Sequence, residues 1–153
     1  MTDLIAQLES EAQKLILPRF DETVALDLGM TLVRLAAGKP VVINIRSANR
    51  VFFHAAMPGS APLNDLWARR KSNTALMFQE ASFLIVQRQS AKKQTLDQHG
   101  LSNDDFADSG GAVPIRVAGV GVVAVATVSG LPQAEDHALV VAALRDILSN
   151  LAG

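Results

Sequence analysis

The chain has 153 residues, of which 49% are hydrophobic, and it contains no cysteine. A chain of this length can bury roughly 68–70% of its unfolded surface, so we expect a single domain over residues 1–153. The lack of cysteine excludes disulfides, cysteine-based zinc or iron–sulfur sites and a catalytic thiol. The formal net charge is −1, which predicts that nucleic acid is not a partner.

The sequence contains no recognisable targeting or membrane segment. Residues 1–4 include an acid and lack the basic region and long apolar core of a secretory signal. The most apolar run, residues 112–128, contains Pro114 and Arg116 and falls short of the ~20 apolar residues that a membrane-spanning helix needs. We therefore expect a cytoplasmic protein that does not associate with membranes.

The first part of the chain predicts two helices. Apolar residues recur at helical spacing over residues 4–16, and Pro18 ends this first helix. A second helix begins after Asp21 or Thr23 and is apolar on most sides, so the rest of the domain or a second subunit should cover it. Gly29 lies in its middle at a cost of about 1 kcal/mol. This indicates either close approach by another backbone or a tolerated imperfection.

The remainder predicts two strand hairpins separated and followed by helices. The element order is therefore ααββααββα, and hairpins without a βαβ alternation predict an α+β layered domain. Asn44 and Arg46 alternate with isoleucines, which gives one sheet face a polar section. The predicted strands are residues 41–46, 51–55, 112–117 and 120–128; the helices are residues 64–78, 82–89 and a last one from Pro132; and residues 91–111 form a polar surface stretch with short helical turns.

Two sequence patterns suggest enzymes on their letters alone. Residues 119–124 match the dinucleotide fingerprint G-x-G-x-x-A, but a strand composition follows where that motif requires a helix. We therefore interpret this segment as part of a hairpin with its turn at residues 118–119. Ser129 precedes Gly130 without the first glycine of a nucleophile elbow, and capping is its more common role. A hydrolase using Ser129 and His137 is the least favoured alternative.

His137 lies in the first turns of the last helix, at the edge of its apolar face. The positive end of the helix dipole disfavours imidazolium there, and a neutral imidazole can be a metal ligand or a proton acceptor. The simpler interpretation is that His137 makes a core hydrogen bond, while Glu135 and Asp136 complement the dipole.

Arg70 interrupts the predicted apolar stripe of the 64–78 helix, three residues after Trp67, the only tryptophan. A cation at a buried position needs an internal carboxylate, a neighbouring subunit or an anionic ligand, unless the side chain snorkels to water. Trp67 can stack on this guanidinium or on a planar ligand. Arg69 and Lys71 are predicted to face water. The stripe itself comprises Leu63, Leu66, Trp67, Thr74, Met77 and Phe78.

The most specific pattern runs from Gly110 to His137. It reads GGAVPIR, then GVG, VSGLP and EDH, and it strongly resembles the haem-degrading-domain family, which contains GlcG-like and HbpS-like proteins. The segments HAAMPG at 54–59 and WARRK at 67–71 resemble that family's branch of short, uncharacterised cytoplasmic proteins. The resemblance covers nearly the whole chain. It implies a profilin-like α/β/α sandwich with a central antiparallel sheet, and assembly into a homo-oligomer.

The resemblance also implies a small-molecule-binding protein for haem or another planar anionic ligand, with any catalytic activity left open. Because cysteine and tyrosine are absent, an iron ligand would have to be histidine or methionine, and Arg70, Lys71 or Arg116 could neutralise the propionates. The alternative is a non-catalytic homo-oligomeric interaction or scaffold protein. The candidate ligand-binding residues are His137, Arg70, Lys71, Trp67, His54 and Gly111, with His137 as the possible haem iron ligand.

Overall fold

The structure is a computed structural model that describes residues 2–152. Its helices and strands follow the predicted order, with one additional short strand near the N-terminus. The helices are α1 (Thr2–Gln13), α2 (Glu22–Leu35), α3 (Pro62–Phe78), α4 (Ser82–Ala91), a 3-10 helix (Leu96–His99) and α5 (Gln133–Ala152). The strands are β1 (Ile16–Leu17), β2 (Val42–Arg46), β3 (Val51–Ala56), β4 (Ala112–Val117) and β5 (Gly121–Ser129).

The five strands form one sheet in the order β1-β4-β5-β2-β3. Both predicted hairpins are present, and β2 pairs antiparallel with β5 to join them. Strand β1 pairs with β4 in parallel, Ile16 opposite Arg116 and Leu17 opposite Val117. The predicted antiparallel sheet is thus correct for four strands, and the edge strand makes the whole sheet mixed.

The prediction that the first helix reaches Ile16 is wrong, because α1 ends at Gln13. Beyond it, Leu15 and Leu17 are buried while Ile16 is 38% exposed, which is the alternation of a strand. Three apolar residues in a row fit either a helix or a strand, and pairing with β4 selects the strand here.

The two faces of the sheet differ in character. Helices α2 and α5 cover one face and bury the main apolar core, which includes Ile43, Ile115 and Leu144. Helix α3 covers the other face, where Ser72 Oγ and Thr127 Oγ1 are 2.7 Å apart. The predicted polar section of the sheet, at Asn44 and Arg46, is on this α3 face, where the Arg46 guanidinium donates to Asn73.

Local signals place α2 correctly. Asp21 is its N-cap, accepting a hydrogen bond from the Val24 backbone N–H at 2.9 Å. A Cβ on Gly29 would lie 2.3 Å from Cγ of Phe53, so the glycine does admit a close neighbour. That neighbour is an aromatic ring of β3, where the sequence suggested another backbone. Among the helices within residues 2–152, none combines the length and apolarity required to cross a bilayer.

Candidate functional site

One side of α3 and the connection between β5 and α5 enclose an open depression of about 240 Å³, which we call the Lys71 pocket. Successive turns of α3 contribute one wall, since residues 64, 67 and 71 share a helix face. The opposite wall is the end of β5 with the turn that follows it. The lining residues are Asn64, Trp67, Lys71, Ser109, Ser129, Gly130, Leu131 and Asp136.

A buried ion pair lies in this pocket. The Lys71 Nζ donates to Asp136 Oδ2 at 2.9 Å and to the Val128 carbonyl at 3.3 Å. Lys71 is only 3% exposed and Asp136 is fully buried. The pair therefore links α3 to the first turn of α5 across the end of β5.

The prediction that Lys71 faces water is wrong, because the buried face of α3 is not the apolar stripe. Leu63, Leu66 and Met77 are 44–60% exposed. The helix instead packs with small and polar residues that allow it to approach the sheet closely. Those buried residues are Ala68, Lys71, Ser72, Thr74 and Ala75.

Asp136 also orders the connection before α5. Its Oδ1 accepts a hydrogen bond from the Leu131 N–H at 3.0 Å, and its Oδ2 accepts one from the Gly130 N–H at 3.2 Å. With Lys71, three donors converge on this carboxylate. The sequence suggested that Asp136 complements the helix dipole, and it gave no sign of the distant lysine.

Burial favours the neutral form of both residues of the pair. Loss of hydration lowers the pKa of Lys71, and the nearby carboxylate of Asp136 opposes this shift. Loss of hydration likewise raises the pKa of Asp136, against the charge of Lys71 and the two backbone amides. Proton transfer from the ammonium to the carboxylate is consequently less costly here than between exposed groups.

Gly111, a candidate from the sequence, is packed against this pair. Its φ is +133°, and a Cβ would lie 2.5 Å from the Val128 carbonyl oxygen and 3.0 Å from Lys71 Nζ. A side chain at this position would collide with the backbone and crowd the ammonium. Gly111 therefore provides the space that Lys71 occupies.

Arg70 is held by contacts within the chain, although its buried Nε has no hydrogen-bond partner among residues 2–152. Its guanidinium carbon is 4.4 Å from the centroid of the Trp67 ring, and its Nη2 donates to the Phe106 carbonyl at 3.1 Å. Of the two partners the sequence suggested for Trp67, the structure shows the guanidinium. Trp67 also lines the Lys71 pocket, whereas Arg70 does not.

His137 does not line the Lys71 pocket. Its Nε2 is 2.7 Å from Glu11 Oε1 on α1, and its ring centroid is 5.2 Å from that of Phe83. The side chain is buried, and its Nδ1 has no hydrogen-bond partner among residues 2–152. The simpler interpretation, a core hydrogen bond, is confirmed. Within residues 2–152 of a single chain, the pocket that Trp67 lines includes neither His137 nor Arg70.

The other two histidines also have partners. His54 is on β3, where Nδ1 is 3.0 Å from Asn44 Nδ2 and Nε2 is 2.7 Å from Asp65 Oδ1. His99 Nε2 is 3.1 Å from Gln89 Nε2. His54 therefore lies on the sheet face that α3 covers, outside the lining of the Lys71 pocket.

The residues around the Lys71 pocket do not fit haem. The lining contains neither histidine nor methionine, the ligands that iron could take from this sequence. The volume of about 240 Å³ is also below the ~300–1,000 Å³ of pockets that enclose drug-sized ligands. In the described part of the chain, no group of three or more histidine and acidic side chains could hold a metal ion.

The fold and its polar pocket define an α+β domain of the sandwich class, and comparison with known proteins identifies the family. Residues 20–145 match the family described as haem degrading protein HbpS-like. The chain therefore belongs to the HbpS-like family, as the resemblance in residues 110–137 predicted.

Relatives of similar length extend along almost the whole chain. A UPF0303 protein of Streptomyces coelicolor is 47% identical over 143 residues, covering 92% of this chain and 90% of its own. A UPF0303 protein of Paraburkholderia xenovorans is 42% identical over 138 residues, covering 88% and 84% respectively.

Solved structures share the fold. The crystal structure of the Ybr137w protein has a TM-score of 0.87 at 32% identity, covering 94% of this chain and 87% of that one. HbpS has a TM-score of 0.67 at 20% identity, covering 85% and 90%. The PduOC:heme complex has a TM-score of 0.69 at 18% identity, covering 82% and 93%. The last two likenesses establish the shared fold, and the expected α+β sandwich is confirmed.

Sequence reasoning missed most of the pocket wall. As ligand-binding candidates it selected Trp67 and Lys71 in the wall and Gly111 behind the ion pair, and it missed Asn64, Ser109 and the role of Asp136. One signal was available, because Lys71 lies one turn after Trp67 and next to the small residues that form the buried face of α3. Its partner Asp136 is 65 positions away in the sequence, so only the three-dimensional distance between the two side chains identifies the pair.

Proposed function

We propose that this chain is a binding protein for a small polar molecule and that the ligand occupies the Lys71 pocket. The observation that carries the proposal is the Lys71–Asp136 ion pair, which lies in the wall of an open depression. A buried ion pair is a poor source of stability, because desolvation of the two charges offsets their attraction. A site that binds a polar ligand gives such a pair a function.

The groups in the wall support a ligand with particular chemistry. An ammonium has three N–H donors, and Lys71 uses two of them on Val128 and Asp136. The Asn64 side-chain oxygen accepts from the Ala61 N–H at 2.8 Å, which leaves its NH₂ group for a ligand. Ser109 and Ser129 add hydroxyl groups. These groups suit a ligand of a few heavy atoms that bears carbonyl or hydroxyl oxygens.

The charge of the pocket favours a neutral ligand over the planar anion suggested by the resemblance. The charge of Lys71 is compensated by Asp136 at 2.9 Å, and the cation Arg70 is held by Trp67 and Phe106 outside the lining. No unbalanced positive charge is left among the lining residues for a carboxylate or a propionate.

A two-dimensional NMR screen with small carbonyl and hydroxyl compounds tests the proposal. We expect shifts of the Trp67 indole N–H and of the Gly130 and Leu131 amides. Ser109→Phe, which fills the pocket from the polar stretch, should abolish them, whereas Asn103→Phe, at an exposed position of the same stretch, should not. Shifts clustered elsewhere, or shifts that survive Ser109→Phe, would contradict the pocket assignment.

Haem itself is tested separately, because the family description and a structural neighbour bring it forward. We expect haemin titration to give no Soret shift, or a shift of equal size in the His137→Ala variant. A stoichiometric shift that His137→Ala abolishes would overturn this expectation and make His137 an iron ligand.

A second candidate, a homo-oligomeric interaction protein, is favoured by exposed apolar side chains on α3. Leu63 is 60% exposed, Leu66 44% and Met77 55%, and surface of this kind is typical of an interface. Light scattering on the purified protein should give the mass of a dimer or larger assembly. Replacing Leu63 and Leu66 by Glu should reduce this mass, and a monodisperse monomer of the unmodified protein would exclude this candidate.

A further inference from the structure

We propose that Lys71 forms a reversible imine with a small aldehyde or ketone bound in the Lys71 pocket. This inference rests on the proposed function, because the carbonyl compound must enter the same pocket. It adds a chemical class of ligand and a covalent step to the binding proposed above.

Protein acceptors take up two of the bonding directions of the Lys71 nitrogen, and the third direction points away from them. A neutral amine has two N–H bonds and one lone pair, and Nζ has two acceptors, the Val128 carbonyl and Asp136 Oδ2. Rotation about the Cε–Nζ bond directs both N–H bonds of the neutral amine at these acceptors, and the lone pair then takes the remaining tetrahedral direction. Gly111 keeps a side chain out of the space 3.0 Å from this nitrogen.

Lys71 differs from every other lysine of the chain. Lys14, Lys92 and Lys93 are exposed and Lys39 is half-buried, whereas Lys71 is 3% exposed and still lines a pocket. An exposed lysine with an ordinary pKa is a free amine in roughly one molecule in 2,500 at pH 7. Because burial lowers the pKa of Lys71, a larger share of this side chain is the neutral, nucleophilic amine at the same pH.

Asp136 provides the proton transfers that imine formation needs. Its Oδ2 is 2.9 Å from Nζ and can take a proton from the ammonium, which leaves a neutral amine beside a neutral carboxyl group. The amine lone pair then bonds to the carbonyl carbon, and the carbonyl electron pair moves to its oxygen, which receives the proton from Asp136.

The carbinolamine formed in this way loses water. Asp136 takes a proton from the nitrogen and returns it to the departing hydroxyl group, and the nitrogen electron pair forms the C=N bond. The balance is one amine and one carbonyl compound giving one imine and one water, with no oxidant or reductant. Hydrolysis by the reverse steps releases the ligand.

Reductive trapping tests the inference. The full chain is treated with propanal and cyanoborohydride at pH 7, and the modified lysines are identified by peptide mass mapping. We expect Lys71 to be alkylated at least about tenfold faster than Lys92 and Lys93, which serve as internal controls of exposed amines.

Two variants separate a specific site from general amine chemistry. Ser109→Phe should slow alkylation of Lys71 at least about tenfold without changing the surface lysines, and Asn103→Phe should change neither.

The possible results distinguish this inference from the proposed function. If propanal shifts the amides of the pocket while Lys71 reacts no faster than the surface lysines, the imine is overturned and small-molecule binding stands. If no compound in the NMR screen shifts the pocket amides and Lys71 also stays unmodified, both proposals are overturned. Preferential alkylation of Lys71 that Ser109→Phe suppresses supports both.

Discussion

Asp136 and His137 are consecutive residues of α5 with opposite surroundings. Because successive helical residues are rotated by roughly 100°, Asp136 is directed to Lys71 on α3 and His137 to Glu11 on α1. Both side chains are buried, and their hydrogen bonds are of similar length, 2.9 and 2.7 Å. Only the Asp136 pair borders the Lys71 pocket. One helical turn thus supports a polar site on one side and closes the packing against α1 on the other.

The first way to test this comparison is to break the Lys71 pair, for which we expect the largest effect. Lys71→Met leaves the Asp136 carboxylate buried without a cation and should lower the free energy of unfolding by about 3–5 kcal/mol. The double variant Lys71→Met/Asp136→Asn removes both charges and should lose less. Urea denaturation measures both, and a double variant less stable than Lys71→Met would contradict this account.

The pH dependence of Lys71→Met gives a second test with a definite sign. Burial raises the pKa of Asp136 above its unfolded value near 3.8, so the folded state holds a proton that the unfolded state releases. Compared with the unmodified protein at the same pH, the variant should be most stable below pH 3.8. Its stability should fall as pH rises through the folded pKa, by at most about 1.4 kcal/mol per pH unit.

Denaturation between pH 4 and 8 measures this loss. Lys71→Met/Asp136→Asn is the control, because it has no carboxyl group at position 136 and should lack the additional pH dependence. If the stability of Lys71→Met instead parallels that of the unmodified protein over this range, the prediction is wrong, because the Asp136 carboxylate then stays hydrated in the folded variant.

Breaking the His137 pair should have a smaller effect. Glu11→Ala leaves His137 Nε2 buried without its partner and should cost about 1–3 kcal/mol. Glu9→Ala is a matched control on the same helix, since Glu9 forms an exposed ion pair with Arg88 at 2.7 Å and should cost no more than about 1 kcal/mol. Thermal unfolding compares the two, and equal losses would remove the distinction. Neither variant should alter binding in the Lys71 pocket.

The smallest effect is expected at His54, whose Nε2 is also 2.7 Å from a carboxylate oxygen, that of Asp65. The side chains of this pair are 41% and 42% exposed, against 7% and 23% for His137 and Glu11. His54→Ala should therefore change the free energy of unfolding by about 0–1 kcal/mol. A loss as large as that of Glu11→Ala would mean that distance, and not burial, sets the strength of these pairs.

Local sequence signals determined most of the elements. These signals come from groups only a few residues apart, so the local sequence contains the cause of each element. Examples are the Asp21 cap, the turn at residues 118–120 and the alternation of Ile43 with Asn44. Strand β1 was missed because two residues carry almost no pattern of their own and owe their conformation to β4. The family could also be predicted, since the segments of residues 110–137 carry it.

Local patterns in the sequence establish the α+β class, the hairpins and the family. The resemblance named Lys71, Trp67 and Gly111 as candidates, while helical periodicity placed Lys71 in water. The tertiary structure decided that Lys71 is buried, that Asp136 is its partner 65 positions along the chain, and that His137 is directed elsewhere. Periodicity reports which helix face is apolar. Which face is buried depends on how closely the helix approaches its sheet, and α3 approaches with small and polar residues.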